Sequence, residues 1–277
     1  MNVESQFAVD GYGAIVTGGA SGLGLAFTEV LAAHGARVTM LDIDPDGLAR
    51  ETERLEGDGL DVRGAVVDVS DHAALDAAID EAAETYGRLD VAFANAGIDP
   101  GPGFVGAWAG GVRPRNEEGS IENYTDERWT RVIDVNMNSV FATVRAAARH
   151  MRPRGSGSIV ITTSLASTRV EPAIGSAYMT AKAGAAHFMR CAALELAGHG
   201  IRVNAIAPGF FVTNIGGGHA KNPDMQAAMA KSIPMKRVGW PDDIKGLALF
   251  LASPASAYLT GQDILIDGGW AIGAGPD

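Results

Sequence analysis

Short runs of Val, Ile, Ala and Met alternate along the chain with longer Ala- and Leu-rich stretches whose apolar residues recur at helical spacing. The runs predict strands at Tyr12–Thr17, Arg37–Asp42, Val62–Val67, Leu89–Ala94, Ser158–Thr163, Ile201–Ala207 and Asp263–Asp267. They are continuous rather than strictly alternating, as expected of strands covered on both faces. The stretches between them predict helices at about 23–34, 45–56, 71–86, 125–151, 176–198 and 241–252. Asp44-Pro45 and Asp71 mark helix starts, and Gly35, Gly87 and Gly200 sit just past helix ends.

This alternation predicts an α/β fold: a doubly wound, seven-stranded parallel sheet with right-handed crossovers and helices on both faces. No linker, composition shift or repeat divides the chain, so residues 1–277 read as a single domain. Two segments break the pattern. Residues 98–123 form a Gly- and Pro-rich insertion, and residues 208–239 contain Gly216-Gly217-Gly218 and a short helix near 223–231. Loops this long are usually functional, and both follow a strand, at the carboxyl end where α/β sheets bind ligands.

Composition narrows the function classes. Hydrophobic residues make up 47% and charged residues 20%, normal for a soluble globular protein. A net charge of −11 without a Lys/Arg run opposes nucleic-acid or anionic-membrane binding. No apolar stretch approaches 18 residues, which excludes a spanning helix. One cysteine allows no internal disulfide, and the start MNVESQFAVDGYG lacks the regions of a signal peptide, so a cytoplasmic location is expected. Glycine is in excess, 36 of 277 residues, which marks turns or close backbone approach to a ligand.

The first strand runs into Thr17-Gly18-Gly19-Ala20-Ser21-Gly22-Leu23-Gly24 and then a helix. Glycines there let the helix N-terminus approach a pyrophosphate, whose charge its dipole and N–H groups favour. Asp42 ends the second strand, where a carboxylate accepts ribose hydroxyls and repels a 2′-phosphate. No Arg or Lys lies within residues 18–24 or directly after Asp42, so NAD is favoured over NADP. Tyr178 and Lys182 stand at i, i+4 on one helix face. A nearby ammonium stabilises a phenolate and turns an otherwise weak tyrosine base (pKa about 10) into a usable one. Ser164 follows the fifth strand, where its hydroxyl can share a substrate oxygen with Tyr178.

Together these motifs strongly resemble the short-chain dehydrogenase/reductase family in its single-domain form, with TGxxxGxG and YxxxK signatures. The matching pieces are TGGASGLG, Asp42, Asp68-Val69, ANAG at 94–97, Asn136 in VNMNSVF, Ser164, YMTAK at 178–182, PGFFVT at 208–213 and TGQDILIDGG at 260–269. They occur in the family's order and span almost the whole chain. The resemblance implies a Rossmann-type fold and an NAD(H)-dependent enzyme interconverting a secondary alcohol and a ketone. Tyr178 is then the catalytic acid/base. Lys182 holds the nicotinamide ribose, Ser164 orients the substrate carbonyl, and Asn136 anchors a proton-relaying water. The implied cofactor contacts come from Gly18, Ser21, Gly22, Leu23 and Gly24, from Asp42, Ile43, Asp68 and Val69, and from Asn95, Ala96 and Gly97. Pro208, Gly209, Phe211 and Thr213 complete them, beside Tyr178 and Lys182. Departures from the pattern are Ala94 for a common Asn, Phe211 for a β-branched residue, a Ser164-to-Tyr178 interval one residue longer than in many members, and the 98–123 insertion. The family usually assembles as tetramers through its long helices, so a homotetramer or homodimer is expected.

Trp108, Phe210, Phe211 and Ile215 lie in the two long loops and read as an apolar lining beside Ser164 and Tyr178. They favour a hydrophobic or aromatic alcohol over a sugar or polyol. A relative performing NAD-assisted epimerisation or dehydration is opposed by the chain's length and glycine spacing. A non-catalytic dinucleotide sensor is opposed by the intact Ser164, Tyr178 and Lys182. The six histidines show no metal-ligand spacing, so no metal is expected. Cys191, mid-helix among Ala and Leu, reads as a buried small apolar residue.

Overall fold

Seven parallel strands form one sheet in the order β3-β2-β1-β4-β5-β6-β7 in the computed structural model, which describes residues 2–98, 101–106 and 114–273. In chain order the elements are α1 (Val3–Gln6), β1 (Gly13–Thr17), α2 (Gly22–Ala33), β2 (Arg37–Asp42), α3 (Pro45–Gly57), β3 (Val62–Val66), α4 (His72–Tyr86) and β4 (Val91–Ala94). Then follow α5 (Asp126–Ile133), α6 (Ser139–Met151), β5 (Gly157–Thr162), α7 (Ser176–Leu196), β6 (Ile201–Pro208), α8 (Pro223–Ser232), α9 (Asp242–Ala252) and β7 (Asp263–Ile266). Successive strand residues feed opposite layers. Ile15 faces α4, α6 and α7, while Ala14 and Val16 face α2, α3 and α9. Phe27 and Phe93 meet at 4.7 Å between ring centroids in the second layer.

The continuous apolar runs are buried on both faces in β1 and β4. Edge strand β3 departs from that expectation: Arg63, Gly64 and Val66 are exposed, because no strand lies beyond it. The short α1, capped by Asn2 through the N–H of Ser5 at 2.9 Å, carries no apolar period that could have announced it.

The expected single helix over 125–151 is interrupted. A π turn at Asp134–Asn138 separates α5 from α6. Three polar side chains in this stretch bond back one turn: Asn136 Nδ2 to the Val132 carbonyl at 3.1 Å, Asn138 Nδ2 to Asp134 Oδ1 at 2.7 Å, and Ser139 Oγ to the Val135 carbonyl at 2.7 Å. The bonds of Asn136 and Ser139 reach backbone carbonyls, the kind of side-chain capture that bends helices, and π turns cluster at functional sites.

The described parts of the insertion are tied to the segment entering α7. Gly103 N–H bonds the Ala173 carbonyl and Val105 N–H the Pro172 carbonyl, both at 3.1 Å. Arg128 of α5 holds the insertion from the other side, donating to the Pro102 carbonyl at 2.9 Å and the Glu118 carbonyl at 3.2 Å. Trp108 lies outside the described residues.

Candidate active site

The strand order reverses between β1 and β4, and the chain leaves their carboxyl ends in opposite directions, opening the crevice where doubly wound sheets bind ligands. A cavity of about 670 Å³ occupies it. The β1–α2 turn contributes Gly18, Ser21, Gly22, Leu23 and Gly24 to its wall. Ser21 caps α2 without a side-chain hydrogen bond, which leaves the N–H groups of the first turn uncapped by side chains among the described residues. That arrangement suits an anion. Gly24 has a separate task. A Cβ there would overlap the Gly18 carbonyl and come within 2.6 Å of Asn95 Nδ2, so only glycine lets α2 dock on the turn. Gly24→Ala is expected to cost about 1–3 kcal/mol and to weaken dinucleotide binding, measurable by thermal melting with and without NADH. Unchanged melting and affinity would contradict this packing role.

At the end of β2, Asp42 Oδ2 accepts the Ala20 N–H at 3.0 Å and Oδ1 the Asp44 N–H at 3.2 Å, so the acid also fixes the glycine turn. Ile43 beside it is exposed. Asp68 and Val69 line the cavity after β3, where hydrogen bonds from the Ser70 hydroxyl and N–H hold the Asp68 carboxyl below its ordinary range. After β4, Asn95, Ala96 and Gly97 complete this wall. The Asn95 amide is spent inside the protein, donating to the Thr17 carbonyl at 3.0 Å and accepting from Thr162 Oγ1 at 3.0 Å. It staples β1, β4 and β5 together at the cavity floor.

Ser164, Tyr178 and Lys182 line the same cavity. Ser164 opens a 3₁₀ turn at Leu165–Ser167, and its Oγ accepts the Ala166 N–H at 3.1 Å. The hydroxyl proton therefore remains to be donated. Lys182 is buried, its Nζ donating to the Thr162 carbonyl at 2.8 Å and lying 5.6 Å from the Tyr178 ring centroid. Desolvation pulls its pKa down to about 8. Asn136 does not line the cavity but is fully buried beside it. Its Oδ1 has no hydrogen-bond partner among the described residues. A Cβ placed on Gly97 would lie 2.9 Å from Asn136 Oδ1 and 3.7 Å from Lys182 Nζ, so both groups converge on one point.

Pro208, Gly209, Phe211, Thr213 and Ile215 form the remaining predicted wall. Phe210 does not: it packs with Val212, Ile233 and Val238, because neighbouring residues of this extended segment point to opposite sides. Phe211 turns inward, mostly buried, its ring against Gly239. Cys191 also departs from expectation. It is exposed, since the core-facing positions of α7 are Ala185, Ala186, Met189, Ala192, Ala193 and Leu196, and residue 191 falls on the far side. Sequence reasoning missed Glu127, Thr130, Arg131 and Asp134, which line the cavity from α5 and the π turn. Their i, i+3, i+4, i+7 spacing, a polar stripe on one helix face, was the available signal. Among the described residues no group of three His, Cys, Asp or Glu side chains could hold a metal ion.

A family model described as Enoyl-(Acyl carrier protein) reductase matches residues 18–271. The chain is 34% identical over 272 residues to D-threitol dehydrogenase of Mycolicibacterium smegmatis, covering 98% of this chain and 97% of that one. It is 35% identical over 274 residues to galactitol 2-dehydrogenase (L-tagatose-forming) of Cereibacter sphaeroides, covering 98% and 100%. The crystal structure of a gluconate 5-dehydrogenase from Burkholderia cenocepacia, in complex with NADP and tartrate, superposes with a TM-score of 0.85 at 30% identity, covering 99% of this chain and 100% of that one. Motif order, sheet topology and these whole-length similarities agree: the chain belongs to the short-chain dehydrogenase/reductase family.

Proposed function

We propose that this protein is an NAD(H)-dependent oxidoreductase that interconverts a secondary alcohol of a polyol and the corresponding ketone. The observation that carries the reading is the convergence of Ser164, Tyr178 and the buried Lys182 on the cavity headed by the glycine turn. A nicotinamide dinucleotide, when bound, supplies the hydride chemistry. One feature fits such a group directly: the N–H groups at the start of α2, which no side chain caps among the described residues.

The chain's own residues handle the proton and the substrate oxygen. Ser164, whose Oγ accepts the Ala166 N–H and keeps its own proton, donates that proton to the substrate oxygen. Tyr178 removes the hydroxyl proton during oxidation and returns it during reduction. The Lys182 ammonium stabilises the phenolate that forms. Asn136 Oδ1 offers an acceptor through which a water can pass that proton from Lys182 onward.

The charged wall residues support NAD. Asp42, Asp68, Glu127 and Asp134 face the cavity against the cations Arg131 and Lys182, a setting unfavourable to a further phosphate. Asp42→Ala is expected to lower kcat/KM for NAD by about tenfold while sparing NADP, eroding the preference. A wild type that already prefers NADP would end this argument.

The polyol reading rests on the three relatives described above, which are named for polyol and sugar-acid substrates. Of the four apolar residues expected beside the substrate, Phe211 and Ile215 line the cavity and Phe210 packs elsewhere, so the hydrophobic reading keeps part of its support. A panel of D-threitol, galactitol, gluconate and cyclohexanol, each with NAD and with NADP, tests both choices by NAD(P)H absorbance. Turnover of the polyols with NAD is expected; exclusive turnover of cyclohexanol would restore the hydrophobic reading. Assembly as a homotetramer or homodimer is supported by Phe141 and Leu194, which leave apolar surface exposed on α6 and α7. Light scattering that gives a monomer mass would contradict it.

A further inference from the structure

We propose that Asp263, the first residue of β7, is a positioning residue that fixes the turn carrying Ser164. The inference rests on the reading of Ser164 as the group that orients the substrate oxygen. Asp263 Oδ1 accepts the Thr163 hydroxyl at 2.7 Å, and Oδ2 accepts the Ser167 hydroxyl at 3.4 Å. One carboxylate thus holds the residue immediately before Ser164 and the residue that closes its 3₁₀ turn.

Strand register explains how a residue two strands away reaches this turn. Ile161 pairs with Ala205, and Ala205 pairs with Asp263, which puts all three side chains on one sheet face. Thr163 follows Ile161 by two residues and points the same way. On that face, where β6 passes between Asp263 and Thr163, it presents Ala205 and Ala207, both fully buried. A larger side chain at either position would block the carboxylate's path across β6.

The chemistry suits a rigid mount. A short O–H···O⁻ bond is charge-assisted and stronger than a neutral one. The backbone supplies part of the turn's shape, with Ser167 N–H on the Ser164 carbonyl at 2.9 Å, and ties the Thr163 end to β6; the carboxylate adds a tie at the Ser167 end. The fold does not depend on the carboxylate, because Thr163 Oγ1 also lies 3.0 Å from the Ile206 carbonyl and its N–H is bound there at 2.8 Å. Loss of Asp263 therefore loosens the turn without unmaking β5. Catalytic groups tolerate about 0.5 Å of misplacement before rates fall steeply.

The test is a double-mutant cycle of Asp263→Ala with Ser164→Ala. It is read as kcat with NAD and galactitol, or with the best substrate of the panel above if galactitol is not turned over. NADH affinity by fluorescence reports on the fold. Acting through Ser164, Asp263→Ala should lower kcat about tenfold in the wild-type background and less than twofold in the Ser164→Ala background, with NADH affinity unchanged. Asp263→Asn, which keeps an acceptor for Thr163, should recover part of the loss. Equal losses in both backgrounds, or none in the wild type, would overturn the proposal. If Asp263→Ala no longer binds NADH, Thr163→Val takes its place in the cycle with the same expected pattern. Absence of wild-type turnover on every alcohol would instead overturn the reading of Ser164 on which the proposal rests.

Discussion

Replacing Tyr178 with Phe is expected to lower kcat by about 10³-fold while leaving NADH affinity within about twofold. The substitution keeps the ring, and with it the position of the side chain relative to Lys182, whose Nζ lies 5.6 Å from the ring centroid. It removes one oxygen, the group proposed to take and return the proton. The glycine turn, Asp42 and Asp68 are untouched, so dinucleotide binding should persist. NADH fluorescence titration and steady-state rates on the same preparation separate the two effects. Turnover within tenfold of the wild type would remove Tyr178 from the mechanism.

Lys182→Met should lower kcat by about 100-fold yet make the protein more stable at pH 7. Burial pulls the ammonium from an ordinary pKa of 10.5 down to about 8, so the folded protein holds this proton less tightly than the unfolded chain. The cost is fully present below pH 8, shrinks as pH rises from 8 to 10.5, and is absent above. Stability of the wild type therefore rises with pH through that window. Methionine of similar shape carries no such cost but leaves the Thr162 carbonyl without its 2.8 Å donor, a loss of about 1 kcal/mol. The net gain, on the order of 2 kcal/mol, amounts to roughly 4–8 °C in Tm near neutrality. Melting curves of both proteins across this range check it: the gap should close as pH climbs. A wild type that is the more stable at pH 7 would show that Lys182 is not held in the desolvated state described above.

How far the chain could be read in advance depended on whether a feature was periodic. The run RVTMLD marks β2 from Arg37 to Asp42, because an apolar stretch bounded by polar residues can be placed in only one way between helices. The π turn left no such mark. Apolar spacing continues from 125 to 151, and the interruption coincides with Asn136, Asn138 and Ser139 bonding back to the preceding turn. In the cavity, residues fixed by local spacing were legible: Gly18 to Gly24, Tyr178 with Lys182, and Ser164 at a strand end. The outward turn of Phe210 was not, since it depends on how the segment after β6 meets Ile233 and Val238. Neither were the Asp263 contacts with Thr163 and Ser167 or the insertion's pairing with Pro172–Ile174. These join residues about 70 to 100 positions apart, which only the folded sheet brings together.

Isotope transfer tests the central claim most directly. The panel alcohol oxidised fastest, carrying deuterium on its carbinol carbon, is incubated with NAD and the reduced dinucleotide is weighed by mass spectrometry. The account predicts one deuterium per NADH recovered from the wild type and almost no reduced dinucleotide from Tyr178→Phe. NADH carrying hydrogen from solvent, or undiminished NADH formation by Tyr178→Phe, would contradict it.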